Sequence, residues 1–134
     1  MSLQRPCPCG SGTPYDACCG RLHRGSAQAV TAEELMRSRY AAYAVGDLDH
    51  VFRTWHPRTR PDDLVPPPGL TWTGLEILDT VAGGPDDDTG VVEFRASYRT
   101  EPGVPSAGPD HSGVLHERST FARRAGRWVY VSPT

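Results

Sequence analysis

Between Thr31 and His56 the apolar residues recur every three or four positions. Met36, Tyr40 and Tyr43 fall at i, i+4 and i+7 on one helical face, and Leu48, Val51, Phe52 and Trp55 repeat the period. Thr31 and Glu34 have capping-box spacing. Gly46 is placed to end the first helix, Asp47 to cap the second and Pro57 to stop it. The stretch PRTRPDDLVPPPG that follows is read as a loop with extended pieces. After residue 69 the period becomes two. LTWTGLEILDTVAG reads as a strand whose phase slips near Gly74, as a bulge would make it. TGVVEFRASYRT alternates, with Val92, Phe94, Ala96 and Tyr98 on one side and Glu93, Arg95, Ser97 and Arg99 on the other. EPGVPSAGPDHS is read as a long flexible connection, and SGVLHERSTFARR and RWVYVSP as a hairpin around Arg-Ala-Gly.

Helices followed by a run of antiparallel strands define an α+β chain, best satisfied by a curved sheet wrapped on the helices. This arrangement resembles the cystatin-like, or nuclear-transport-factor-two-like, fold, whose concave face often encloses a pocket. At 134 residues the chain has the length of one ordinary domain. The expected division is a small element over residues 1–25 and a main α+β domain over 26–134.

The small element is set apart by chemistry. All four cysteines lie within CPCGSGTPYDACC, as Cys7, Cys9, Cys18 and Cys19. The N-terminus has no apolar leader, and no segment approaches the length of a membrane span, so a cytoplasmic location is expected. Disulfides are uncommon there, and clustered thiols point to metal or redox chemistry. Four thiolates make a tetrahedral set suited to zinc, with no open coordination position, and such a site is structural. Gly10, Gly12 and Pro14 supply the chain reversal between the two pairs, and Ser11 and Asp16 can bond local amides. The competing readings are a vicinal Cys18–Cys19 disulfide or redox switch, with zinc release as its consequence, and His23 as a substitute ligand.

CPCGSGTPYDACCG resembles the SEC-C motif at Cys7, Pro8, Cys9, Gly10, Ser11, Gly12, Tyr15, Cys18 and Cys19. The resemblance implies that Cys7, Cys9, Cys18 and Cys19 ligate one zinc. A similar element at the C-terminus of the SecA translocation motor engages a secretory chaperone and ribosomes or acidic lipid. A protein partner in translation or export is therefore implied by analogy. The Lys-rich stretch common in that motif is replaced here by TPYDA. Further on, LMRSRYAAYAVGDLDHVFRTWHP and HERSTFARRAGRWVYV resemble the YchJ-like family, bacterial proteins that join a SEC-C element to this fold. That family implies zinc and a fold, and no established reaction.

Composition narrows the function classes. The formal charge is −2, and the basic residues are all Arg, so nothing marks a dedicated nucleic-acid binder. There is no phosphate loop or dinucleotide fingerprint. On the strand GVLHERSTF, Glu117 and Ser119 share a face with Leu115 and Phe121, and are expected inward; His116 and Arg118 point outward with Val114. Glu117 and Ser119, with His56 at the end of the second helix, are the candidate catalytic or pocket residues. The alternative is a buried ion pair between Glu117 and Arg37 or Arg39 that fixes the sheet on the helices. Tyr40, Tyr43, Trp55, Trp72 and Trp128 read as core, and His23, His50 and His111 as solvent-facing. The favoured function is a protein-interaction module held by structural zinc. The second is a ligand-binding protein or enzyme with a pocket under the sheet, and the third a thiol redox or zinc-release sensor.

Overall fold

A computed structural model describes residues 5–64, 69–101 and 112–134. Three helices precede four strands: α1 (Cys19–His23), α2 (Ala32–Val45), α3 (Leu48–Arg53), β1 (Leu70–Ala82), β2 (Thr89–Thr100), β3 (Ser112–Arg124) and β4 (Arg127–Pro133). The α+β expectation holds. Residues 102–111, most of the expected flexible connection and including His111, lie outside the described residues, as do residues 65–68 of the proline-rich loop.

Helix α2 starts and stops as its sequence dictates. Thr31 Oγ1 accepts the Glu34 N–H at 3.0 Å, and Gly46 closes the helix with φ 82°. Glu34 Oε1 reaches back to the Val30 N–H at 2.7 Å, one residue earlier than a standard capping box. Asp47 caps α3 through the His50 N–H at 3.1 Å. Helix α3 ends at Arg53, short of the expected His56. The next residues are recruited by the sheet instead: the Tyr130 N–H donates to the Thr54 carbonyl and the His56 N–H to the Tyr130 carbonyl, each at 2.8 Å. Thr54 and His56 gain strand-like partners that another helical turn would have forgone.

The strands form one antiparallel meander, in the order β1-β2-β3-β4. The expected bulge in β1 falls between Trp72 and Gly74, and a second, unforeseen irregularity falls between Ile77 and Asp79. Two bulges in one long edge strand increase local twist and curl the sheet. The β3–β4 turn places Ala125 and Gly126 at φ 54° and 78°, the primed-turn geometry that suits strand twist. Where β1 meets β2 the backbones nearly touch. A Cβ on Gly90 would lie 2.5 Å from the Gly83 Cα, so only glycine fits. This lets the Ala32 N–H at the start of α2 donate to the Gly83 carbonyl at 2.9 Å.

The core lies between α2 and the concave face. Leu35, Met36 and Tyr40 of the helix meet Val92, Phe94 and Ala96 of β2, Phe121 of β3, and Trp128 and Tyr130 of β4. The alternation expected in β2 is realised: Val92, Phe94 and Ala96 are buried, while Arg95 and Arg99 are exposed. Trp128 also donates its indole N–H to the Val30 carbonyl at 3.1 Å.

Candidate functional site

Two places gather chemistry, on opposite faces of α2. The first is the cysteine cluster. Gly10 and Gly12, with φ 82° and 83°, reverse the chain after Cys9, and the turn Tyr15–Ala17 delivers Cys18 and Cys19 opposite. The Sγ atoms of Cys7, Cys9, Cys18 and Cys19 all lie within 4.8 Å of one another. Cys9 and Cys18 are 3.7 Å apart, Cys18 and Cys19 4.0 Å. A tetrahedral metal–sulfur site with legs of about 2.3 Å has edges of about 3.8 Å, so the spacing fits a metal ion. All four thiols are free, without a disulfide.

The four sulfurs do not share charge equally. The neighbouring Cys19 thiol holds the Cys9 thiol down to about 4, while Cys9 and burial push Cys19 far up. Burial also raises Cys7. A divalent ion would favour the thiolate form of every sulfur that binds it. Ser11 Oγ lies 3.2 Å from Cys18 Sγ as an outer partner.

This element is packed onto α2. Arg37 donates from Nη1 to the Cys9 carbonyl at 2.8 Å and from Nε to Glu33 at 3.0 Å. Arg21 pairs with Glu34, and Ala41 of α2 is buried among the cysteines. His23 and His50 are not solvent-facing as expected. Both are buried: His23, at the end of α1, is turned onto Ser38 of α2, and its ring centre lies 4.6 Å from that of His50 on α3. His23 Nε2 lies 2.8 Å from the Ser38 carbonyl and must carry the proton; its Nδ1 then accepts from the Tyr15 hydroxyl at 2.6 Å. With both nitrogens engaged, His23 is no substitute ligand, and it stands outside the metal-spaced group. Ser38 Oγ donates to the Leu35 carbonyl at 2.7 Å and accepts from His50 Nε2 at 3.0 Å, which leaves His50 Nδ1 buried without a partner. Burial, then the neighbouring His23 and Arg53, lower the His50 pKa to about 3.

The second place is a cavity of about 330 Å³ under the sheet. Met36, Tyr40 and Tyr43 of α2 form one wall and Trp72, Phe94 and Ala96 of the strands another. Tyr40 and Trp128 are buried core as expected; Trp55 and Trp72 are half-buried and pack against that core while also lining the cavity, as does half-buried Tyr43. Glu117 and Ser119 point inward, and Leu115 lies at the mouth, 41% exposed. The outward face carries His116 and Arg118, which meet Glu93 at 2.6 and 3.0 Å.

The expected ion pair between Glu117 and an α2 arginine does not form. Arg37 faces the cysteines. Arg39 donates from Nη1 to the Val51 carbonyl at 2.9 Å and to Thr54 Oγ1 at 2.8 Å, and lies against the rings of Trp55 and Tyr130. Glu117 instead accepts from the hydroxyls of Ser119 and, at 3.1 Å, Tyr130. Burial lowers the Arg39 pKa to about 10, so it stays charged at neutral pH. Burial and then the Glu117 charge raise the Tyr130 phenol. His56, a candidate acid or base, is outside the cavity; its Nδ1 accepts the Arg58 N–H at 3.1 Å and caps a turn. Tyr130 was missed as a site residue because RWVYV reads as plain strand; nothing in the sequence showed that a β4 hydroxyl would reach Glu117.

A curved four-stranded sheet closed over a helix, with a cysteine knuckle before it, defines a SEC-C protein with a nuclear-transport-factor-two-like domain. Residues 6–21 match the SEC-C motif, and residues 31–133 match the family described as YchJ, middle NTF2-like domain. The chain belongs to this YchJ-like family, known also as UPF0225. A UPF0225 protein of Streptomyces coelicolor is 55% identical over 94% of this chain and 92% of its own, and one of Corynebacterium glutamicum is 47% identical over 96% and 95%. The solution structure of a SEC-C motif containing protein from Rhodopseudomonas palustris superposes with TM-score 0.79 at 34% identity, covering 97% of this chain and 98% of that one. Among the described residues no helix is long and apolar enough to cross a membrane.

Proposed function

We propose that the chain is a cytoplasmic small-ligand-binding protein: the cavity under the sheet is the working site, and Cys7, Cys9, Cys18 and Cys19 hold one structural zinc. In this reading residues 1–25 form the zinc element and residues 26–134 the ligand domain. The observation that carries it is the open cavity, in which the aromatic rings form walls and leave about 330 Å³ between them. That volume lies in the range of small-molecule sites, and its mostly apolar lining with a few polar groups is their usual composition. The sequence alone favours a docking module, and the cavity reverses that order. The zinc element is tied to α2 by Arg21, His23 and Arg37, which supports a stabilising role for it. A docking role is favoured by the exposure of Gly10, Ser11, Gly12, Asp16 and Ala17 on the knuckle.

The test uses the neutral fluorescent probe N-phenyl-1-naphthylamine. It is expected to bind the full chain with a blue-shifted emission, and Ala96→Trp, which fills the cavity, is expected to abolish the signal. No binding by the wild-type chain, or binding unchanged in Ala96→Trp, rejects the cavity as the site. Metal analysis is expected to give one zinc per chain, with thiols titrating only after chelation.

A further inference from the structure

Arg39 is 4% exposed and lines the cavity. Among the described residues no carboxylate lies within ion-pairing distance of it, and both of its protein hydrogen bonds leave from one nitrogen, Nη1. A buried cation ordinarily sits with an anion, since removing its water carries the desolvation penalty of any buried ion. The rings of Trp55 and Tyr130, 5.0 and 4.7 Å from the guanidinium carbon, offset part of that cost. Among the described residues the one acid of the cavity wall is Glu117; it takes the Ser119 and Tyr130 hydroxyls and acts on Arg39 only through space. Trp55, whose ring lies against Arg39, has a buried indole N–H that meets no acceptor among the described residues.

We infer that the cavity takes a small organic monocarboxylate with a flat apolar body, its carboxylate paired with Arg39. The inference rests on the cavity being the working site. A planar guanidinium is matched to a carboxylate, which it can hold through two parallel N–H donors. The charge selects one anionic group over two. A phosphate monoester would bring a second negative charge to a single arginine in a space that already contains Glu117. The body of the ligand is set by Tyr40, Tyr43, Trp72 and Phe94, whose faces and edges suit an aromatic ring better than a polar chain.

The experiment pairs acids with their neutral amides on the full, zinc-loaded chain: benzoate with benzamide, phenylacetate with phenylacetamide, and indole-3-acetate with indole-3-acetamide. Binding is followed by titration calorimetry and by the shift in thermal midpoint. At least one acid is expected to bind at least tenfold more tightly than its amide. Arg39→Met is expected to erase that preference while keeping or raising the thermal midpoint, because it removes an unpaired buried charge. Should Arg39→Met not fold, the wild-type acid-to-amide ratio and the shift of the Arg39 side-chain nitrogen resonances on adding acid decide the matter. Acid and amide binding equally well would overturn the carboxylate and leave the cavity reading intact. No binding of any of the six, with the neutral naphthylamine also unbound, would overturn both. No binding of the six while the naphthylamine binds would overturn the carboxylate alone.

Discussion

Between residues 7 and 19 the buried side chains are Cys7, Cys9 and Cys19, whereas the sheet side of α2 buries Val92, Phe94, Ala96, Phe121 and Trp128. The helix between them shows the same contrast in two neighbouring arginines. Arg37 is half-exposed, with a carboxylate and a carbonyl as partners; Arg39 is buried against rings and, among the described residues, has no carboxylate within ion-pairing distance. One side buries little apolar surface besides its cysteines, whose sulfurs are spaced as metal ligands. The other has apolar surface to spare and leaves part of it facing a cavity. On the proposed zinc site the knuckle is expected to depend on its ion for order, while the sheet has a core of its own.

If the cysteines hold the proposed zinc, the largest effect that can separate the two sides is its removal. Chelation, or Cys9→Ser, is expected to abolish amide protection over residues 5–24 while β2 and β3 keep theirs. Apparent zinc-binding energies of small structural sites are about 10–16 kcal/mol, more than the contacts of this segment can replace. Hydrogen exchange with mass spectrometry reads this directly, and uniform loss of protection across the sheet would show that the two sides fold as one. The converse variant is Phe121→Ala. Phe121 is fully buried, and the truncation is expected to cost about 3–5 kcal/mol of global stability. Zinc content under native conditions should stay at one per chain; loss of the ion with stability would erase the contrast.

His50 offers a smaller, pH-dependent probe of the seam. Its pKa is about 3 in the folded chain against 6.5 when free. Below 6.5 the unfolded chain takes up a proton that the folded chain refuses, so stability is present above that value and is lost as pH falls toward 3. The loss is about 1.4 kcal/mol for each pH unit inside that window. Urea midpoints at pH 7.5 and 5.5 are expected to differ more in the wild type than in His50→Asn. Equal differences would mean that His50 is hydrated in solution.

What was legible in the sequence followed from local rules. The helical and alternating periods placed α2, β2 and β3, the phase slip at Gly74 placed a bulge, and the C-x-C and CC pairs placed the cysteine cluster. What failed depended on contacts between distant segments. His23 and His50 read as polar surface because the cover that buries them, α1 lying on α2, is not written in either segment. Arg39 was offered to Glu117 because both point inward. The Val51 carbonyl and the Thr54 hydroxyl, near in sequence and fixed by α3, reach it first. His56 was drawn out of helical geometry by the edge of β4. Charge complementarity alone does not choose partners inside a fold; reach and backbone geometry choose first.

The smallest effect tests where the helix takes its starting instruction. Thr31 caps α2 through Glu34, and Glu34 is also the partner of Arg21 in the cysteine element. Thr31→Ala removes only the cap and is expected to cost about 1 kcal/mol. Arg21→Ala removes a half-exposed ion pair, of the kind generally worth about 0–1 kcal/mol. If the cap belongs to the sheet domain alone, Thr31→Ala costs the same with and without zinc. If Glu34 joins the two sides, chelation frees it from Arg21, and the cost of Thr31→Ala changes by the coupling between them. A double-mutant cycle of Thr31→Ala and Arg21→Ala, read by urea unfolding, measures that coupling. A value within about 0.3–0.5 kcal/mol of zero means the two residues act independently. A larger one shows that the start of α2 is shared by the zinc element and the cavity domain.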